Sequence, residues 1–100
     1  MSPLVLVYLS FTKRLKMNPE YLMYEMDEIE SEAHLRIGRC ETREEVEDLQ
    51  RDLLGRTGRV GVVLRRLSEI SPTARSEVGQ RANDLILIIR GLLDGARGGV

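Results

Sequence analysis

Arginine is the residue type through which this sequence could do chemistry, and that chemistry is the gripping of phosphate. Residues 54–100 carry eight arginines, no lysine and four acids. A guanidinium stays charged at any physiological pH and offers forked N–H donors that fit two phosphate oxygens at once. Arg56, Arg59, Arg65, Arg66, Arg75 and Arg81 are the candidate nucleic-acid contacts. The acids are concentrated elsewhere: residues 18–53 hold twelve against four bases, whereas residues 1–17 hold Lys13, Arg14 and Lys16 with no acid. A second reading of this asymmetry stays open, in which an acidic helix and a basic helix attract one another.

Bond-making chemistry finds little to work with. His34 and Cys40 are the single histidine and the single cysteine. No zinc cluster, Cys/His pair or Ser/His/Asp set can be assembled from them, and no intramolecular disulfide. His34 sits in a charged helical stretch and reads as a surface side chain, and Cys40 as a small buried hydrophobe. The acids between positions 25 and 32 read as a solvated helix face. Gly55, Gly58 and Gly61 lack the Gly-Lys-Ser/Thr step and the preceding strand of a phosphate loop. The expectation is a chain with no cofactor, no metal and no catalysis of its own.

One hundred residues allow one domain with a modest core. Apolar residues make up 42% and charged residues 31%, as in a surface-rich helical protein. With no Trp and only Phe11, Tyr8, Tyr21 and Tyr24 as aromatics, the core must be aliphatic and base-stacking platforms are scarce. The runs 4–9 and 85–89 are far shorter than the ~20 residues that cross a bilayer. The first charges follow the apolar run, the reverse of a secretory signal, so the expected location is cytoplasmic.

The elements that would position the arginines follow from periodicity. Residues 1–17 have strand-like content with no second strand to pair with, and read as a tail or as a segment lying over an apolar helix face. Asn18-Pro19 starts a helix. Leu22, Met26, Ile29, Ala33 and Ile37 form its apolar stripe. Thr42 and Glu45 make a capping box for a second helix, with Val46, Leu49, Leu53 and Leu54 facing inward. Val60, Val63 or Leu64, and Leu67 carry a helical period through Gly55, Gly58 and Gly61. Ser71-Pro72 starts the last helix. Its stripe is Val78, Ala82, Leu85, Ile89 and Leu92, and Gly95, Gly98 and Gly99 release the chain. Folding at Ile70 sets Gly61 against Gly79, Gly58 against Ala82, and Gly55 against Leu85. Because glycine costs a helix up to ~1 kcal/mol, Gly55, Gly58, Gly61, Gly79, Ala82 and Asn83 are read as a close helix crossing.

Leu54-Gly55-Arg56-Thr57-Gly58, Val60, Leu64-Arg65-Arg66-Leu67, Ser71-Pro72, Arg75, Gly79 and Asn83 together resemble the N-terminal domain of the bacterial phenylalanyl-tRNA synthetase α subunit. That domain reads Leu-Gly-Lys-Lys-Gly, a Leu-Thr pair, a Lys-x-Leu step, then Pro-Glu-Glu-Arg followed by Gly and Asn four residues apart. The spacing matches without a gap from Leu54 to Asn83, and a looser match reaches back to about Asp27. The resemblance implies a long antiparallel helical hairpin that braces tRNA from outside the synthetase body. By position, Arg56 stands at the first lysine of the Lys-Lys pair, Arg65 and Arg75 at basic positions, and Gly58, Gly79 and Asn83 at structural ones. The chain departs at Thr57, Gly61 and Ile86, where the family has lysine, threonine and lysine.

The fold expected is therefore all-α: an antiparallel, coiled-coil-like helical hairpin with an additional N-terminal helix. The tail is residues 1–17, the helical-hairpin domain residues 18–96 and a flexible C-terminus residues 97–100. The expected function is a non-catalytic tRNA-binding arm, with tRNA and a synthetase body as partners and no membrane. The alternative is a protein-interaction module that self-associates through Leu85, Ile88, Ile89 and Leu92, motivated by the excess of aliphatics at 85–89. A chorismate mutase-like enzyme, faintly suggested by Met26-Asp27-Glu28-Ile29-Glu30, fails because no helix face mixes buried positions with cations.

Overall fold

The computed structural model describes residues 18–99, which form four α-helices joined by short connections. These are α1 (Pro19–Ile37), α2 (Arg43–Leu54), α3 (Arg59–Arg66) and α4 (Pro72–Gly99), with a 3-10 turn at Leu67–Glu69. The described residues are all-α, and they contain the hairpin, formed by α3 and α4 about Ile70, and the additional N-terminal helix. The fold is elongated, 57 × 32 × 20 Å, because the 28 residues of α4 alone span ~42 Å at 1.5 Å per residue.

Three of the four helices begin at a side-chain cap, and α3 starts at Gly58 without one. The Asn18 side chain accepts from Glu20 N–H at 2.9 Å, with Pro19 in the first helical position. Thr42 Oγ1 accepts from Glu45 N–H at 3.2 Å, while the Glu45 carboxylate accepts from Glu41 N–H at 3.3 Å. That is a capping box displaced by one residue on its return bond. Ser71 Oγ accepts from Ala74 N–H at 3.4 Å and Pro72 follows it into α4.

Leu22, Met26, Ile29 and Ala33 of α1 meet Val78, Ala82, Leu85, Ile89 and Leu93 of α4 in one core. Both sets recur every three or four residues, and the α1–α4 interface is the most extensive in the fold. Val46, Leu49 and Leu53 of α2, Val60 and Val63 of α3, and Ile70 at the bend close the core, each at most 3% exposed. Arg81 of α4 reaches Asp27 and Glu30 of α1, and Arg97 near the end of α4 reaches Glu47 of α2. The turn between α1 and α2 therefore lies toward the C-terminal end of α4.

Four expectations need correction. The helical period through 55–67 is interrupted, because Gly55 ends α2, Gly58 starts α3, and Gly58 N–H bonds Gly55 C=O at 2.9 Å across the turn. The C-terminal stripe ends on Leu93, with Leu92 half-buried beside it. Gly95 and Gly98 do not release the chain, since α4 continues to Gly99.

The fourth correction concerns the helix crossing read at Gly55, Gly58, Gly61, Gly79, Ala82 and Asn83. A Cβ on Gly55 would lie 2.3 Å from Arg51 O, and one on Gly58 2.8–2.9 Å from Asp52 O and Leu53 C and O. One on Gly61 would lie 3.0 Å from Arg56 O. All three approaches are to the backbone at the end of α2 or in the turn, not to α4. Gly79 has only Leu67 Cδ1 at 4.0 Å, an ordinary contact. Ala82 is buried in the core and Asn83 is exposed. The small residues at 55–61 let the chain reverse tightly from α2 into α3.

Candidate nucleic-acid interface

The arginines divide into two groups according to what they touch. Arg81 is only 20% exposed, and its Nη2 donates to Asp27 Oδ1 at 3.0 Å and Glu30 Oε1 at 2.8 Å. Although burial opposes it, hydrogen bonding to Asp27 and Glu30 holds the Arg81 guanidinium above its ordinary pKa. Arg75 donates Nε to Leu67 O at 2.9 Å and Nη2 to Ile70 O at 3.1 Å. It thereby gives Ile70 O a donor and adds a second one to Leu67 O, which already accepts from Ile70 N–H at 3.4 Å. Arg59 at the start of α3 donates Nη1 to Glu32 at 2.6 Å, and its Nη2 lies 3.7 Å from Glu25.

The second group has no ion-pair partner among the described residues. Arg56 is exposed on the turn between α2 and α3, and Arg65 is exposed in the last turn of α3, with half-buried Arg66 beside it. Of the six arginines expected to meet nucleic acid, Arg56, Arg65 and Arg66 have no ion-pair partner among the described residues, whereas Arg59, Arg75 and Arg81 each bond to a group of the fold. The reading in which basic and acidic helices attract one another applies to Arg59 and Arg81, which pair with acids of α1. Arg39, Arg43 and Arg90 are also exposed and without ion pairs among the described residues, and the sequence reading passed over them. Only their neighbours in space distinguish them from the paired arginines.

Arg59 and Arg66 line a cleft of about 270 Å³ between α1 and α3, together with Leu22, Glu25, Thr57 and Val62. Cys40 is half-buried, its thiol donating to Arg36 O at 3.4 Å, and His34 is exposed. Among the described residues no group of three or more His, Cys, Asp or Glu is placed to hold a metal ion. No helix among them is long and apolar enough to cross a membrane.

The surface expected for self-association is largely inside the fold. Leu85 and Ile89 are fully buried against the core and Leu92 is half-buried, leaving only Ile88 at 36% exposure. α1 covers Leu85 and Ile89 of the run 85–89, while Leu87 is 65% and Ile88 36% exposed. Residues 1–17, the other candidate cover, lie outside the described residues.

A small all-helical domain that turns an arginine-bearing loop and short helix outward is the class these features define. A family profile described as the N-terminal domain of class II aminoacyl-tRNA synthetases matches residues 41–94, and the chain belongs to that family. The matched span runs from just before α2 into the last turns of α4; it includes the gapless stretch from Leu54 to Asn83 and stops short of the looser match back to Asp27. No solved structure matches the chain.

Proposed function

We propose that this chain is a tRNA-binding arm of the phenylalanyl-tRNA synthetase type, non-catalytic by itself and working in the cytoplasm beside a synthetase body. The observation that carries the reading is the presence of three arginines, Arg56, Arg65 and Arg66, without ion pairs among the described residues and inside the matched span. Guanidinium–phosphate contacts of this kind position an RNA backbone and carry little sequence information.

Fluorescence anisotropy with bulk tRNA, at low and near-physiological salt, tests it. Three phosphate contacts give a log–log salt slope of about −2 to −3. The R56A/R65A/R66A variant loses most of the binding and flattens that slope, with its melting temperature little changed. R75A is the opposite control: it lowers stability by removing bonds to Leu67 and Ile70 carbonyls and leaves the salt slope alone. Binding that survives intact in R56A/R65A/R66A refutes the assignment.

A further inference from the structure

We propose that Glu25 and Glu32 of α1 form an intramolecular competitor for phosphate, holding Arg59 in a latch that an RNA backbone must open. The inference rests on the tRNA-binding reading and adds to it a residue set that tunes affinity from outside the matched span. α1 covers Pro19–Ile37, whereas the match begins at residue 41.

The geometry of the guanidinium is the first support. Glu32 takes Nη1 at 2.6 Å and Glu25 approaches Nη2 at 3.7 Å, so both terminal nitrogens of Arg59 face carboxylates. A phosphate that engages the fork bidentately uses two neighbouring N–H groups, and here it must displace at least one carboxylate. Carboxylate and phosphate compete for the same donors, and only one can hold them at a time.

Exposure is the second. Arg59 is 40% exposed, Glu25 31% and Glu32 33%, so the pair sits at the solvent boundary where exchange of partners is cheap. Arg81, which also pairs with two acids of α1, is only 20% exposed. It is a fixed strut, while Arg59 is exchangeable. Position is the third support: Arg59 lines one cleft with Arg66 and lies three residues after Arg56, so a backbone already held by those arginines passes close to it. Once opened, the latch adds one more contact.

The test compares tRNA affinity and salt slope for the wild-type chain, E25Q/E32Q, and the equal-charge control E20Q/E28Q, whose acids are exposed on α1 and outside any ion pair among the described residues. E25Q/E32Q binds roughly three- to tenfold more tightly, the range set by releasing two half-exposed ion pairs. Its salt slope steepens by about one phosphate. E20Q/E28Q changes affinity less than about twofold, since screened charges away from the contact act weakly. In an R59A background the advantage of E25Q/E32Q disappears. E32Q alone, which removes only the 2.6 Å bond, gives a smaller increase and serves if the double variant folds poorly.

An equal rise in E20Q/E28Q, or a rise that persists without Arg59, overturns the latch. Wild-type binding that is lost in R56A/R65A/R66A but unmoved in E25Q/E32Q overturns the latch and leaves the tRNA reading standing. Binding seen only after E25Q/E32Q supports the latch as a full block. Absence of binding in wild type and E25Q/E32Q alike overturns both.

Discussion

Gly58→Ala and Gly79→Ala should move stability in opposite directions. In Gly58→Ala the new methyl lies 2.8–2.9 Å from three backbone atoms of Asp52 and Leu53, where ordinary contact begins near 3.4 Å. None of these atoms belongs to a flexible side chain, so the start of α3 must shift away from the end of α2. Forced shifts of that kind cost about 1–3 kcal/mol. Gly58 has φ −73° and ψ 175°, which alanine adopts freely, so the stiffer unfolded chain returns about 0.4–1 kcal/mol. The net loss lies between about 0 and 2.6 kcal/mol on these two ranges, with a midpoint of about 1.3 kcal/mol. Gly79 lies inside α4 with nothing closer than Leu67 Cδ1 at 4.0 Å, so alanine there stabilises by about 0.5–1 kcal/mol. Urea unfolding followed by helical circular dichroism, read at constant m-value, resolves the two variants easily. A helix crossing between the hairpin arms would make Gly79→Ala destabilising as well. If Gly79→Ala lowers stability as much as Gly58→Ala, the tight-turn account of these glycines is wrong.

Two further outcomes follow from burial and charge. Leu85→Ala removes a fully buried side chain and costs about 2–5 kcal/mol, while Ile88→Ala costs less than about 1 kcal/mol. Chemical denaturation of the two variants checks that Leu85, and not Ile88, lies in the core beneath α1. The hydrogen bond from Arg97 holds the Glu47 carboxyl below its ordinary pKa, against the opposing effect of desolvation. A depressed folded-state value means the contribution is complete above the unfolded glutamate pKa of about 4.3 and is lost as pH falls through the folded value. Glu47→Gln therefore lowers stability at neutral pH and removes part of the decline below about pH 4, measurable as a pH series of melting temperatures.

The helix starts were readable because capping is local. Asn18, Thr42 and Ser71 each satisfy a donor two or three residues away, with no help from the rest of the fold. The α1 stripe was readable for the same reason. The glycines at 55, 58 and 61 misled because their spacing of three is compatible with a helix. What breaks the helix is the approach of the chain to Arg51, Asp52 and Leu53, which no periodicity records. The outward-facing arginines were half readable. Composition identified the residue type, but whether an arginine faces water or an acid depends on partners 27 positions away for Arg59 and Glu32, and 54 for Arg81 and Asp27.

The same separation has a consequence for the order in which the chain can mature on the ribosome. α1 is made before α4, the helix that covers its apolar stripe. At about 5–20 residues per second, the 54 positions between Asp27 and Arg81 take roughly 3–10 s to synthesise. Throughout that interval Leu22, Met26, Ile29 and Ala33 have no α4 to close over them. α2 and α3 can dock earlier, but the nascent domain stays incomplete until its final helix has emerged. A ribosome that stalls before α4 leaves an adhesive, half-built helix set, a natural client for chaperones that hold nascent chains.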